Sequence, residues 1–315
     1  MSKLKVLIAN RPGAEVEAML ADAPSEVEIH LLSSGEKLSD HLADTEVLYG
    51  TISEADFPKA ESLRWVQQPF VGVEWASYPA FKESDVMLVN SRVLYGPQLA
   101  EHAFALLLSL TRRINTQLDL MKQKHWEGKP CVEISGMTMG IIGLGGIGRA
   151  VAQRGKAFEC NVIAVDKEQV EIPDTVDQVK QLDWLPELLS KSDILMVCCP
   201  ITPETHKLLS HEQFDLLPDG SFLVNVSRGK VIDEDALIAA LDSGKLAGAG
   251  LDVTYTEPCP ADNPLWNKPN VILTAHTAGS SQNIAKRAMQ LFIDNLHRYV
   301  SGEPLINVVD KQKGY

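Results

Sequence analysis

The sequence predicts an α/β chain of two doubly wound domains, one inserted into the other, with a cleft between them. Short apolar, often β-branched runs alternate with segments whose apolar residues recur every three or four positions, the pattern of parallel strands covered by helices. Two longer helical patterns partition the chain, and 315 residues allow about two domains.

The strand candidates, in order, are Val6–Ala9, Val47–Tyr49, Val86–Asn90, Thr138–Ile142, Asn161–Val165, Ile194–Cys199, Phe222–Val226, Ala247–Val253 and Val271–Leu273, each bounded by Gly, Pro, Asp or Asn. The first partition helix opens at Gly96-Pro97, where proline suits the first turn. Ala100, Ala103, Phe104, Leu107, Leu110, Ile114, Leu118 and Met121 then line one face through about Trp126. Part of that broad face is expected to be a homodimer seam. The second helix follows Ser280-Ser281, which suit an N-cap, and carries Ala285, Ala288, Met289, Phe292, Leu296 and Tyr299 before Ser301-Gly302. Residues 97–282 thus form a self-contained βαβ series. Residues 1–96 form a smaller α/β unit, to which residues 283–315 return.

Charge and composition remove several function classes. Twenty-nine basic against 42 acidic residues leave a net charge of −13. No Lys/Arg block is present, which argues against binding a nucleic-acid backbone or an anionic membrane. Five cysteines without a C-x-x-C pair fit a reducing, cytoplasmic setting and no zinc knuckle. The densest apolar stretch, Ala103 to Leu110, is far short of a membrane span. Val6–Ala9 is too brief for a signal peptide core.

Thr138–Ile142 runs straight into Gly143-Leu144-Gly145-Gly146-Ile147-Gly148, and a helix follows. This is G-x-G-x-x-G in the strand–turn–helix context it requires. Gly143 serves the tight turn, Gly145 the close approach of a pyrophosphate and Gly148 the packing of helix on strand. The next strand ends at Asp166, about 20 residues beyond the second glycine, where an acid binds a ribose 2′-hydroxyl. A carboxylate there repels a 2′-phosphate, so NAD is expected over NADP, an inference that the neighbouring Lys167 weakens slightly.

Three chemically capable residues lie on strand-end loops, where open α/β sheets place their chemistry. They are Arg228 in Asn225-Val226-Ser227-Arg228-Gly229, Glu257 in Thr254-Tyr255-Thr256-Glu257-Pro258, and His276 in Thr274-Ala275-His276-Thr277-Ala278-Gly279. With these residues the chain resembles the D-isomer-specific 2-hydroxyacid dehydrogenase family over nearly its whole length. Further segments that carry the resemblance are Phe70-Val71-Gly72-Val73-Glu74, Ala100-Glu101-His102, Cys199-Pro200-Ile201-Thr202 and Gly250-Leu251-Asp252-Val253. Two departures are visible: Ala275 where the family usually has proline, and Glu74 where it often has aspartate.

The resemblance implies two Rossmann-like domains, with the nucleotide-binding domain inserted into a smaller flavodoxin-like substrate domain. It also implies hydride transfer between NAD(H) and a small 2-oxo acid of the glyoxylate, hydroxypyruvate or pyruvate kind. A guanidinium binds a carboxylate bidentately, so Arg228 would hold the oxo acid and polarise its ketone. His276 would be the acid–base group, with Glu257 favouring the imidazolium and fixing the ring. By the same resemblance Gly143, Gly145, Gly146, Ile147, Gly148, Asp166, Cys199, Pro200 and Thr205 face the dinucleotide's adenosine and phosphate side. Val226, Ser227, Arg228, Asp252, His276 and Gly279 face the nicotinamide side, with Asp252 on the carboxamide. Backbone amides around Val71 and Gly72 would bind the substrate carboxylate, and Tyr95 is a further substrate candidate.

The competing reading is an NAD-sensing, corepressor-like scaffold, which retained Arg228, Glu257 and His276 do not exclude. Formate oxidation is disfavoured, because relatives with that chemistry typically carry glutamine in place of Glu257. A phosphoglycerate dehydrogenase with an added regulatory domain is not expected, since little chain follows the last helix. His102 and His125 read as packing or surface residues. His206 and His211 do not share a helix face, so no metal site is expected. The Cys198-Cys199 pair reads as one core and one pocket side chain on a strand.

Overall fold

The apolar runs become strands of two fully parallel sheets, and most strands are buried on both faces, which is why they read as largely apolar runs with little polar alternation. The computed structural model describes residues 3–9 and 11–314. In chain order the elements are β1 (Leu4–Ile8), α1 (Ala14–Glu17), β2 (Val27–Leu31), β3 (Val47–Tyr49), β4 (Trp65–Gln67), α2 (Pro79–Lys82) and β5 (Met87–Val89). There follow α3 (Gly96–Thr111), α4 (Ile114–Lys122), β6 (Thr138–Ile142), α5 (Gly146–Ala157), β7 (Asn161–Val165), β8 (Gln178–Lys180) and α6 (Leu185–Lys191). The chain continues through β9 (Ile194–Val197), α7 (His211–Leu216), β10 (Ser221–Asn225), α8 (Glu234–Asp242), β11 (Leu246–Leu251), β12 (Val271–Leu273) and α9 (Ile284–Val300). Two compact units result: Met1–Tyr95 with Ser281–Tyr315, and Gly96–Ser280.

In the smaller unit the strand order is β2-β1-β3-β4-β5, the flavodoxin-like arrangement. One face of this sheet is closed by α9, whose Met289, Phe292, Ile293 and Leu296 are buried against Val6, Ile8, Val47, Tyr49 and Trp65. Phe292 packs at 4.7 Å from the Tyr49 ring and 5.7 Å from that of Trp65. The opposite face carries Leu7, Leu48, Val66 and Leu88 against Leu42 and Phe81.

The larger unit has seven strands in the order β12-β11-β10-β9-β6-β7-β8. Winding runs outward from β6 through β7 to β8, then restarts on the other side at β9, so β6 and β9 flank the switch point where such sheets bind ligands. Glycine lets α3 lie close to its neighbours. A Cβ at Gly250 would stand 2.7 Å from Leu106 Cβ, and one at Gly96 would stand 2.8 Å from the Gly146 carbonyl oxygen.

Three readings need correction. The single helix from Gly96 to about Trp126 is two helices, broken where Arg113 adopts a left-handed backbone (φ 57°). The apolar spacing continues across that break, so periodicity does not register it, yet Ile114, Leu118 and Met121 are exposed. The last helix starts at Ile284 with Asn283 as its N-cap, not at Ser280-Ser281. Strands β2, β4 and β8 lie outside the strands the sequence predicts. Two are only three residues long, and β2 and β8 are edge strands with polar alternation. Among the described residues, no helix is long and apolar enough to cross a membrane.

Candidate active site

The glycine turn between β6 and α5 uses its three signature glycines for three purposes. Gly143 has φ 92°, and a Cβ on it would stand 2.8 Å from the backbone of Cys199. A Cβ on Gly148 would stand 2.0 Å from the Gly143 carbonyl oxygen. Nothing lies within 4 Å of a Cβ built on Gly145, the N-cap of α5, so the approach to the helix N-terminus is open. Gly146 and Ile147 open that helix. Asp166, at the end of β7, accepts hydrogen bonds from the N–H groups of Leu144 (2.6 Å) and Glu168 (2.9 Å), which fixes its carboxylate beside the turn. These features fit a dinucleotide phosphate and ribose. Lys167 pairs with Glu204 at 3.4 Å.

Beyond β9 the chain forms a second loop. Strand β9 ends at Val197, so Cys198 and Cys199 follow it and strand alternation does not govern them. Burial pushes the Cys199 thiol up to about 12 and raises that of Cys198 as well, leaving both protonated at neutral pH. Thr205 closes this loop, donating to the Pro200 carbonyl at 2.7 Å and accepting from the Thr202 N–H at 2.7 Å.

The loops after β10, β11 and β12 carry Arg228, Glu257 and His276. The buried Asn225 side chain shapes the first loop, accepting from the Ser227 N–H and hydroxyl (3.0 Å each) and donating to the Arg228 carbonyl (3.0 Å). Val226 and Ser227 are buried, whereas Arg228 is half-buried and donates through Nη1 to the Ser227 carbonyl at 2.8 Å. A Cβ on Gly229 would stand 1.9 Å from the Thr254 carbonyl oxygen, so only glycine permits the arginine loop to meet the glutamate loop this closely. Glu257 accepts the Thr254 N–H at Oε1 (3.2 Å) and sits 2.7 Å from His276 Nδ1 through Oε2. Glu234 braces the same loop, accepting from the Tyr255 N–H (3.2 Å) and Asn263 Nδ2 (2.7 Å).

Asp252 organises the histidine loop from beneath. Its carbonyl accepts the His276 N–H at 2.8 Å, and His276 itself has a left-handed backbone (φ 52°). The Asp252 carboxylate is buried and accepts from Thr274 Oγ1 (2.6 Å), the Thr277 N–H (2.9 Å) and the Ala278 N–H (2.9 Å), with half-buried Gly279 next in the chain. His102 Nε2 on α3 lies 2.8 Å from Thr274 Oγ1. Because Thr274 gives its own proton to Asp252, His102 is the donor to Thr274. His102, read from the sequence as a packing or surface residue, is partly exposed and braces the histidine loop through this contact. Its neighbourhood with Glu101 carried the resemblance, but nothing in its spacing connects it to Thr274. His125 is exposed and pairs with Glu127.

In the smaller unit Val71 and Gly72 lie on the loop after β4. The Tyr95 hydroxyl donates to the Pro69 carbonyl at 2.9 Å, and Asn90 Nδ2 donates to the Val71 carbonyl at 2.9 Å. Among the described residues one group brings three metal-ligating side chains together, His30, Glu36 and His41. Its imidazoles stack 4.5 Å apart with planes 24° from parallel, and each Nε2 lies 3.6 Å from a Glu36 carboxylate oxygen.

A glycine turn closed by an acid, at the switch point of a sheet of this order, defines a dinucleotide-binding α/β protein. The family model described as "D-isomer specific 2-hydroxyacid dehydrogenase, NAD binding domain" matches residues 104–278. The chain is 33% identical to a D-3-phosphoglycerate dehydrogenase of Methanocaldococcus jannaschii, covering 98% of this chain and 59% of that one. It is 31% identical to a hydroxypyruvate reductase of Blautia hydrogenotrophica, covering 89% of each. A solved family member from Aeromonas salmonicida superposes with a TM-score of 0.88 at 32% identity, covering 99% of this chain and all of that one. The chain belongs to the D-isomer specific 2-hydroxyacid dehydrogenase family. By family it is an oxidoreductase of CH–OH donors that uses a nicotinamide dinucleotide. It spans little more than half the length of the Methanocaldococcus relative.

Proposed function

We propose that this chain reduces a small 2-oxo acid to the D-2-hydroxy acid, with glyoxylate, hydroxypyruvate or a pyruvate-like compound as substrate and NADH as cofactor. The observation that carries the reading is the His276–Glu257 pair at 2.7 Å, on loops next to Arg228 in a sheet whose switch point bears the glycine turn. A bound NADH supplies the hydride. Gly143 to Gly148 would take the pyrophosphate, and Asp166 the adenosine ribose, beside Cys199, Pro200 and Thr205. Val226, Ser227, Asp252 and Gly279 would face the nicotinamide.

Arg228 binds and polarises the substrate in this reading. Glu257 holds the proton on His276 Nδ1, which leaves Nε2 as the atom that gives its proton to the ketone oxygen. In the reverse direction neutral Nε2 accepts the proton of the alcohol. Val71 and Gly72 offer backbone N–H groups to a carboxylate, and Tyr95 supports their loop. Selection of NAD over NADP rests on the Asp166 carboxylate, which repels a 2′-phosphate, and on Lys167 being engaged with Glu204.

Residues 97–282 would then be the dinucleotide-binding domain, and residues 1–96 with 283–315 the substrate domain. For assembly we propose a homodimer through the larger unit. Its seam would lie on α4 and its continuation, where Ile114, Leu118, Met121 and Trp126 are exposed. Five free cysteines suit a cytoplasmic setting. The test is NADH consumption across glyoxylate, hydroxypyruvate, pyruvate and branched oxo acids, with NADPH in parallel. Tight NADH binding without turnover on any of them would replace the reading with that of a nucleotide-binding scaffold.

A further inference from the structure

The loop after β4 shows an unusual division of its backbone groups. All four carbonyls from Pro69 to Gly72 accept hydrogen bonds from inside the smaller unit. Pro69 accepts from the Tyr95 hydroxyl (2.9 Å), and Phe70 from the Ser91 N–H (3.0 Å) and Gln68 Nε2 (3.1 Å). Val71 accepts from Asn90 Nδ2 (2.9 Å), and Gly72 from Gln68 Nε2 (2.6 Å). Among the described residues, the N–H groups of Phe70, Val71 and Gly72 donate to nothing.

Gln68 is the centre of this arrangement. It is fully buried, both its amide hydrogens go to loop carbonyls, and its Oε1 accepts from the Trp75 indole N–H. Its own backbone is held by Val89 and Ser91. A buried amide with every group satisfied has one orientation, and it imposes that orientation on what it holds. Carbonyl oxygens pinned by internal donors are kept from facing an incoming carboxylate. Successive N–H groups left without an internal acceptor are available to an anion.

We infer that Gln68, helped by Asn90, is a positioning residue for carboxylate recognition: by taking up the loop's carbonyls it presents the Val71 and Gly72 N–H groups to the carboxylate of the 2-oxo acid. The inference rests on the substrate class proposed above. Gln68 itself touches no substrate. It acts through the loop backbone, so its loss changes substrate affinity and leaves dinucleotide affinity alone.

The test uses the full-length, ¹⁵N-labelled protein with NAD⁺ present and oxalate as probe. Oxalate is expected to move the Val71 and Gly72 amide resonances. Gln68→Met, which keeps the volume and removes both donors, is expected to weaken oxalate at least about tenfold, what losing one hydrogen bond to a charged group is worth. Asn90→Ala releases only the Val71 carbonyl and is expected to weaken oxalate less; it decides the matter if Gln68→Met does not fold. With glyoxylate as substrate, both variants should raise KM more than they change kcat, at unchanged NADH affinity. Wild-type protein that binds no oxalate, or binds it without moving those amides, overturns both the substrate reading and the inference. Amides that respond, in variants that bind oxalate as wild type does, overturn the inference alone and leave the substrate reading standing.

Discussion

In the larger unit the groups proposed to do chemistry are side chains. Arg228, Glu257 and His276 project from three successive strand ends, and the backbone's part is to let those loops come together, as Gly229 does beneath the Thr254 carbonyl. In the smaller unit the roles are exchanged. The groups proposed to meet a ligand are backbone N–H groups of Val71 and Gly72, behind which Gln68, Asn90 and Tyr95 donate to the loop's carbonyls. Sensitivity to substitution should therefore fall on the functional residues themselves in one unit, and one step behind them in the other.

The largest effect tests the side-chain half of that contrast. His276→Ala should lower kcat by about 10²–10⁴-fold, the usual contribution of a positioned acid–base group, while NADH binding persists. Wild-type turnover by this variant with every accepted oxo acid would remove His276 as proton donor. Gly229→Ala comes next. Its methyl meets a backbone oxygen with no room to yield, an overpacking cost of about 3 kcal/mol. Calorimetry should record a Tm lower by roughly 6–12 °C for a unit of this size, with activity lost in parallel. Unchanged stability would mean that the two loops do not approach this closely.

Val71→Ala should do little in comparison. The N–H survives, so the oxo-acid KM should stay within about threefold, under 1 kcal/mol; a larger rise would show that the side chain, not the backbone, carries the contact. The smallest effect belongs to Lys156, whose ammonium spans both oxygens of Asp177 at 2.7 and 2.8 Å on the exposed side of the larger unit. The hydrogen bonds from Lys156 hold Asp177 below the usual carboxylate range. Their stabilisation is therefore present at neutral pH and disappears as acid protonates the carboxylate. Lys156→Met should cost under about 1 kcal/mol by denaturant unfolding at pH 7, and the difference should shrink as the pH falls below about 4.

The same contrast explains what could be read from the amino-acid order. Gly143 to Gly148, Asp166 and the three strand-end loops stand out because they combine distinctive residue types with a strand that can be recognised by its apolar run. Buried strands such as Thr138–Ile142 and Asn161–Val165 have their observed ends in the sequence pattern, since both faces are covered and turn residues bound them. The break at Arg113 escaped because its left-handed turn uses neither glycine nor proline and the apolar spacing carries on past it. Gln68 and His102 escaped for another reason. Each works through a hydrogen bond to a loop whose position only the folded chain defines: Gln68 to the loop after its own strand, His102 to Thr274 far along the chain.

Asp252 has a consequence for how this protein would fail. One buried carboxylate receives Thr274, Thr277 and Ala278, and the same residue's carbonyl receives His276. Such a knot does not loosen strand by strand. Warming would leave His276 seated until the knot opens, and then release the whole segment from Thr274 to Ala278 at once. The loop's order would thus end abruptly rather than fade across a broad range.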